Sequence, residues 1–230
     1  MSEDVAVDLI AAVNQAFQSN CIKDRSIERL GKKLDAGTAT YADAYKFGMA
    51  IGNARAKAFK NKVSSAVLPN GRMYYNIASR LMETTLTRDY ELVRQYSMGV
   101  QQILNNKNKL AFKALGADKN NDRIKGFIDR LSQEELYDDV AWILDEPVKV
   151  HALSVVDDTI KKNAEFQSKV GLKVEVIRTS EAKCCEWCAA LDGTYTYPGV
   201  PGDVFARHDN CRCTIDYNGS RLSSNGHSYR

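Results

Sequence analysis

Between Cys184 and Cys213 the chain reads CCEWCAALDGTYTYPGVPGDVFARHDNCRC, a stretch that holds five of its six cysteines and one of its three histidines. Cys185 and Cys188 form a C-x2-C pair, the spacing at which a tight turn brings two thiolates to one metal ion. After nineteen intervening residues His208 and Cys211 form an H-x2-C pair. Two close pairs of soft nitrogen and sulfur donors separated by a loop predict a structural tetrahedral zinc site, one ion held by Cys185, Cys188, His208 and Cys211. Cys184 adjoins Cys185, and adjacent residues do not both point at one ion. Cys213 lies two beyond Cys211, so on a strand both face the same side, and Cys213 stands as the alternate fourth ligand. A disulfide formed in an oxidising medium and unpaired buried thiols are the competing readings of these cysteines.

Catalytic chemistry needs more than these donors provide. A zinc-supported fold with an H-x-N-C segment has the ingredients of an HNH-type nuclease, but His208 would have to serve as base or ligand, not both. His151 is predicted on a helix as a packing or surface residue, and His227 falls in a polar tail. Asp138-Asp139 and Asp157-Asp158 are neighbours in sequence that point in different directions on a helix, and they read as solvated faces. Trp142 and Trp187 read as packing residues, the second clamping the cysteine module against the helices. There is no glycine-rich nucleotide loop and no Ser-His-Asp arrangement, so the expectation is a non-enzyme without a small-molecule substrate.

The elements that position the cysteines are helical. Val5, Leu9, Val13 and Phe17 draw a four-residue stripe along a first helix, from about residue 4 to 19. Thr40 is placed to cap a helix that runs to the Pro69-Asn70-Gly71 turn, and its small residues Ala42, Ala44, Gly48, Ala50, Gly52 and Ala54 permit close approach of a neighbour. Residues 72–106 contain no proline and predict one helix of about 50 Å, or two stacked ones. A short helix closed by Gly116 follows. Ser132 with Glu135 reads as a capping box for a helix through Leu144, and a last helix starts at Pro147 and stops at Gly171. At Leu172 the period changes to two, a strand signal through Arg178. Asp192-Gly193 before Thr194-Tyr195-Thr196-Tyr197 signals a hairpin. The fold class is therefore mainly α, an elongated helical domain over 1–170, with a small β-rich zinc module over 171–217 and a flexible polar tail over 218–230.

Hydrophobic content of 44% and charged content of 27% are those of a globular chain, and no apolar run approaches the ~18 residues that span a bilayer, so no membrane partner is expected. Acids occupy the N-terminus MSEDVAVDLIAAV where a secretory signal carries basic residues, which predicts a reducing compartment and favours metal over disulfide. The net charge of +3 is unevenly distributed: residues 46–130 hold sixteen Lys and Arg against six Asp and Glu. Arg55, Lys57, Lys60, Lys62, Lys107, Lys109 and Lys113 are the candidate contacts to double-stranded DNA, through phosphate neutralisation. A solvated helix face is the alternative for the same cations, and Tyr74, Tyr75, Tyr90 and Tyr96 among them read as helix contacts.

The pattern Cys185-x-x-Cys188-Ala189-Ala190-Leu191-Asp192-Gly193, followed by His208-Asp209-Asn210-Cys211-Arg212-Cys213, resembles the C-terminal motif of the Mu F-like minor head proteins, head-morphogenesis proteins of tailed bacteriophages. The match covers about 30 residues and is architectural elsewhere. That family usually has proline after its histidine and often before it, where this chain has Asp209 and Arg207. The resemblance implies a structural minor head protein in the virion, at the head interior or portal. Its assembly would take place in the host cytoplasm, with portal, capsid and scaffold proteins as partners and packaged DNA as a further contact. A zinc-stabilised adaptor that docks on protein alone is the remaining alternative.

Overall fold

A computed structural model describes residues 5–220; residue 4 and the part of the predicted tail beyond 220, with His227, lie outside the described residues. Seven helices and three strands follow one another as α1 (Val5–Lys23), α2 (Arg25–Asp35), α3 (Tyr41–Lys62), α4 (Tyr75–Lys107), α5 (Asn121–Gln133), α6 (Glu146–Lys169), β1 (Lys173–Thr179), α7 (Glu186–Ala190), β2 (Gly193–Thr196) and β3 (Thr214–Ser220). The chain is mainly α with a small C-terminal β module, as its periodicities indicate.

Helix α3 lies at the centre, packed against α1, α4 and α6. It begins at a reciprocal cap: Thr40 accepts from the Asp43 amide while the Asp43 carboxylate accepts from the Thr40 amide, which satisfies two otherwise orphan donors. Its glycines face α6. A Cβ built on Gly52 would sit 2.8 Å from Lys149 Cα and one on Gly48 would sit 3.3 Å from the Ala152 carbonyl oxygen, so the two backbones approach as only small residues allow. The α3–α4 pair is antiparallel, joined by the Pro69-Asn70-Gly71 turn. Tyr41 donates to Gln101 at one end, Arg55 meets Asp89 near the other, and Phe47 stacks on Tyr96 between them with centroids 4.3 Å apart.

Residues 108–136 depart from expectation. The segment after α4 forms no helix: its backbone is held in an irregular path by side chains of α4 and α6. Asn163 donates to the Leu115 carbonyl and accepts from its amide, Asn105 donates to the Phe112 carbonyl, and Thr159 accepts from the Ala117 amide. Gly116 is a point of close approach to Arg94 and Met98 of α4 rather than a helix stop. Ser132 lies in the last turn of α5 and caps nothing. Ile124, Ile128 and Leu131, all buried, set a helical stripe upstream of it, and Asn120 is the cap that starts that helix, accepting from the Arg123 amide.

The sheet has the order β2-β1-β3, antiparallel throughout. Thr194–Thr196 pair with β1, so Asp192-Gly193 leads out of α7 into β2 instead of turning a hairpin of its own. Along β1 the inward row is Val174, Val176 and then Arg178, each at most 1% exposed. Strand β3 continues to Ser220, opposite Lys173, three residues beyond the expected end of the module. Val174, Val176, Val204, Phe205, Ile215 and Tyr217 join the same apolar core as the helices.

His151 is a core residue of α6, edge-on to Phe127, and neither ring nitrogen has a hydrogen-bond partner. Desolvation, with Arg123 nearby, lowers its pKa to about 3. The unfolded chain therefore takes up the proton first, and stability falls as pH drops below about 6.5. The loss should reach a few kcal/mol by pH 4 in urea titrations, and His151→Phe should remove that part of the slope. Gly52→Ala tests the helix contact: alanine in a free helix stabilises by roughly 1 kcal/mol, but the clash with the α6 backbone should reverse the sign and lower the melting temperature by several degrees.

Candidate metal centre

The donors arrive from two loops. The first, residues 180–192, leaves β1 and re-enters the sheet at β2, and Asp192 closes it by accepting from the Ser180 amide and hydroxyl. Within it Cys185 caps α7 and accepts from the Cys188 amide at 3.5 Å, so one turn of helix sets the C-x2-C pair on one side. The second, residues 206–213, runs into β3 and brings His208, Cys211 and Cys213; Asn210 takes φ 62° to bend it.

Five donors meet. His208 Nε2 lies 3.1 Å from Cys188 Sγ and 3.3 Å from Cys185 Sγ, and Cys188 Sγ lies 3.9 Å from Cys211 Sγ. Their ligand atoms form two sets, Cys185-Cys188-His208 and Cys188-Cys211-Cys213, each within 4.8 Å of one another, with Cys188 in both. This cluster can hold a metal ion. The four residues expected from spacing are all brought here, and the alternate, Cys213, stands in the same set as Cys211. Cys184 packs against the buried thiols from the side.

The surroundings orient the imidazole and act on the thiols in opposing ways. His208 Nδ1 lies against the Asp209 carbonyl, which makes Nδ1 the protonated nitrogen and leaves the Nε2 lone pair directed at the sulfurs. The Cys188 amide lowers the Cys185 pKa below the ordinary thiol value, whereas burial raises those of Cys188 and Cys213. Two guanidinium groups face the buried sulfurs: Arg178 Nη2 is 3.8 Å from Cys188 Sγ and Arg207 Nη1 is 3.8 Å from Cys211 Sγ. Trp187 is 39% exposed and lies edge-on to the His208 ring, under the Arg178 guanidinium. It shields the site rather than clamping the module to the helices.

Several residues take other places than expected. Asp157 is fully buried and ion-paired with Arg207, because Arg207 reaches it from the metal loop; Asp138 and Asp139 are exposed as expected. Arg55 is not a DNA contact. It has no exposed surface, forms a two-pronged ion pair with Asp89 and lies 3.9 Å over the Phe17 ring. Lys57, Lys60, Lys62, Lys107, Lys109 and Lys113 are exposed, but the antiparallel α3–α4 register separates the first three from the last three by about 30 Å along α4. Tyr90 and Tyr96 are buried contacts, while Tyr75 is 55% exposed. Arg178, Arg207 and Asp157 are the residues that ligand spacing misses. The signal for the first was its place in the inward row after Val174 and Val176.

Because Cys188 belongs to both donor sets, Cys188→Ser should abolish metal content measured by elemental analysis. If the ion uses the histidine set, Cys185→Ser should lower it at least tenfold more than Cys213→Ser; the reverse order would assign the ion to the all-thiol set. Family models, curated proteins and solved structures compared with the chain give no match, and no helix among the described residues is long and apolar enough to cross a membrane.

Proposed function

We propose that the chain is a zinc-stabilised assembly protein of the Mu F-like minor head kind, a structural part of a tailed-phage particle that docks at the portal. One observation carries this reading. The Cys and His residues of the 184–213 motif converge on one cluster, and that cluster is seated on a helical body, the arrangement that the resemblance implies. The partners are portal, capsid and scaffold proteins, and the place is the virion head.

Zinc is the ion the donors suit. Thiolate and imidazole are the ligands of structural zinc, and a tetrahedron with Zn–S of 2.3 Å has S···S edges of about 3.8 Å, against the 3.9 Å between Cys188 and Cys211. Zinc bound there would tie residues 180–192 to residues 206–213. His208 supports a structural role over the nuclease alternative, because its Nδ1 is engaged by the Asp209 carbonyl and its Nε2 faces two sulfurs. No nitrogen of that ring is left to act as a base.

DNA contact is the secondary part of the proposal, restricted to the exposed lysines at either end of the bundle. Purified protein should carry one equivalent of zinc per chain and coelute with a portal oligomer from its own gene neighbourhood when the two are coexpressed. Zinc below half an equivalent would overturn the metal assignment. A zinc-loaded chain that never coelutes would overturn the portal assignment. Retention on DNA that does not weaken between 50 and 200 mM salt, a range over which phosphate binding falls steeply, would remove the DNA contact.

A further inference from the structure

Behind the metal donors lies a second set of buried charges that ties them to α6. Asp157 has no exposed side-chain surface and Arg207 only 2%. The Arg207 Nε and Nη2 atoms both donate to the Asp157 carboxylate, the latter at 2.8 Å. The third nitrogen, Nη1, is turned to Cys211, 3.8 Å from its sulfur and 3.5 Å from its carbonyl oxygen. Tyr45 of α3 completes the unit: its hydroxyl donates to Asp157 Oδ1 at 2.6 Å and accepts from the Ile215 amide at 3.0 Å, two residues past Cys213.

A second pair fixes the same loop. Arg212, between Cys211 and Cys213, donates to Glu146. Glu146 and Asp157 are eleven residues apart on α6, three turns, and so share one face. The loop that carries His208, Cys211 and Cys213 is therefore fastened to α6 on both sides of His208 and Cys211.

We propose that Asp157 is a positioning residue for the metal centre, holding Arg207 against Cys211 so that the ion is retained only while the 206–213 loop is docked on α6. The inference rests on the metal reading above. Three thiolates and a neutral imidazole around a divalent ion leave one net negative charge, and a guanidinium beside a buried sulfur balances it. Outer-shell partners of this kind change metal affinity by 10–100-fold. With asparagine at 157 the guanidinium loses its anionic anchor, and Cys211 loses the orientation of the cation beside its sulfur.

The test uses the full chain loaded with zinc, the rate of ion release to a chromogenic chelator, and the sulfur-to-cobalt charge-transfer band of the Co2+ form. Asp157→Asn should release zinc 10–100-fold faster and shift the band, and Tyr45→Phe should do the same to a smaller extent. Asp89→Asn is the control: it breaks the buried Arg55 pair in the same bundle away from the loop, and should leave release within about twofold of the parent and the band unmoved. Equal release from Asp157→Asn and Asp89→Asn would overturn the proposal. If Asp157→Asn does not fold, an unchanged rate and band in Tyr45→Phe would overturn it. A parent chain that binds neither zinc nor cobalt would overturn the metal reading itself, whereas a parent that binds both with an indifferent Asp157 variant overturns only the positioning role.

Discussion

A carboxylate with no exposed surface is tolerable inside a bundle only with a full set of donors, and Asp157 takes its donors from two elements. Arg207 comes from the second metal loop, Tyr45 from the central helix, and the Tyr45 hydroxyl in turn holds the first turn of β3 through the Ile215 amide. Leaving such a charge unpaired costs roughly 3–5 kcal/mol, a large part of the stability of an ordinary domain. Helix packing, strand position and loop position are thereby made to agree. The close α3–α6 contact across Gly48 and Gly52 serves the same end, because it is what brings Tyr45 and Asp157 within hydrogen-bond reach.

Where a helix carried an uninterrupted apolar stripe or a clear terminator, its place could be read from the residues alone. The four-residue stripe of α1, the cap at Thr40, the proline-free stretch of α4 and the stop at Gly171 all have local physical causes that survive in the folded chain. Residues 108–136 were not legible for the opposite reason. The path of 108–120 is dictated by Asn105 and by Thr159 and Asn163, the last two distant in sequence, which replace backbone partners with side-chain ones. Ser132 and Glu135 form a valid capping pattern, yet the Ile124-Ile128-Leu131 stripe buries far more apolar surface than a cap contributes, and it claims Ser132 for the end of α5.

The clustered Cys and His residues were legible because a shared metal site would restrict both residue type and spacing; their supports were not, because a buried arginine looks like any surface arginine until its partner is known. Arg207 and Arg212 sit directly beside ligands in sequence, a hint of function, but their acceptors lie some fifty and sixty-six residues away on α6. Arg55 taught the reverse lesson. In sequence it belongs to a run of cations with Lys57, Lys60 and Lys62, whereas helical geometry turns it inward to Asp89 and leaves the lysines outside.

Apart from the ion-paired Arg207, residues 180–192 and 206–213 contain only three buried side chains, Cys188, Cys211 and Cys213. At about 0.8 kcal/mol per buried CH2, three thiol side chains contribute a few kcal/mol at most, while ordering about twenty residues of loop costs far more in backbone entropy. The sheet is anchored in the main core through Val174, Val176, Ile215 and Tyr217, but these loops have no apolar core of their own. Their order depends on the links among the cysteines and His208 and on the two arginine clasps to α6. An ion bound by the cysteines would supply there what apolar burial supplies elsewhere in the chain, on a helical support. Such a division fits the assembly role proposed above better than a site that must open and close around a substrate.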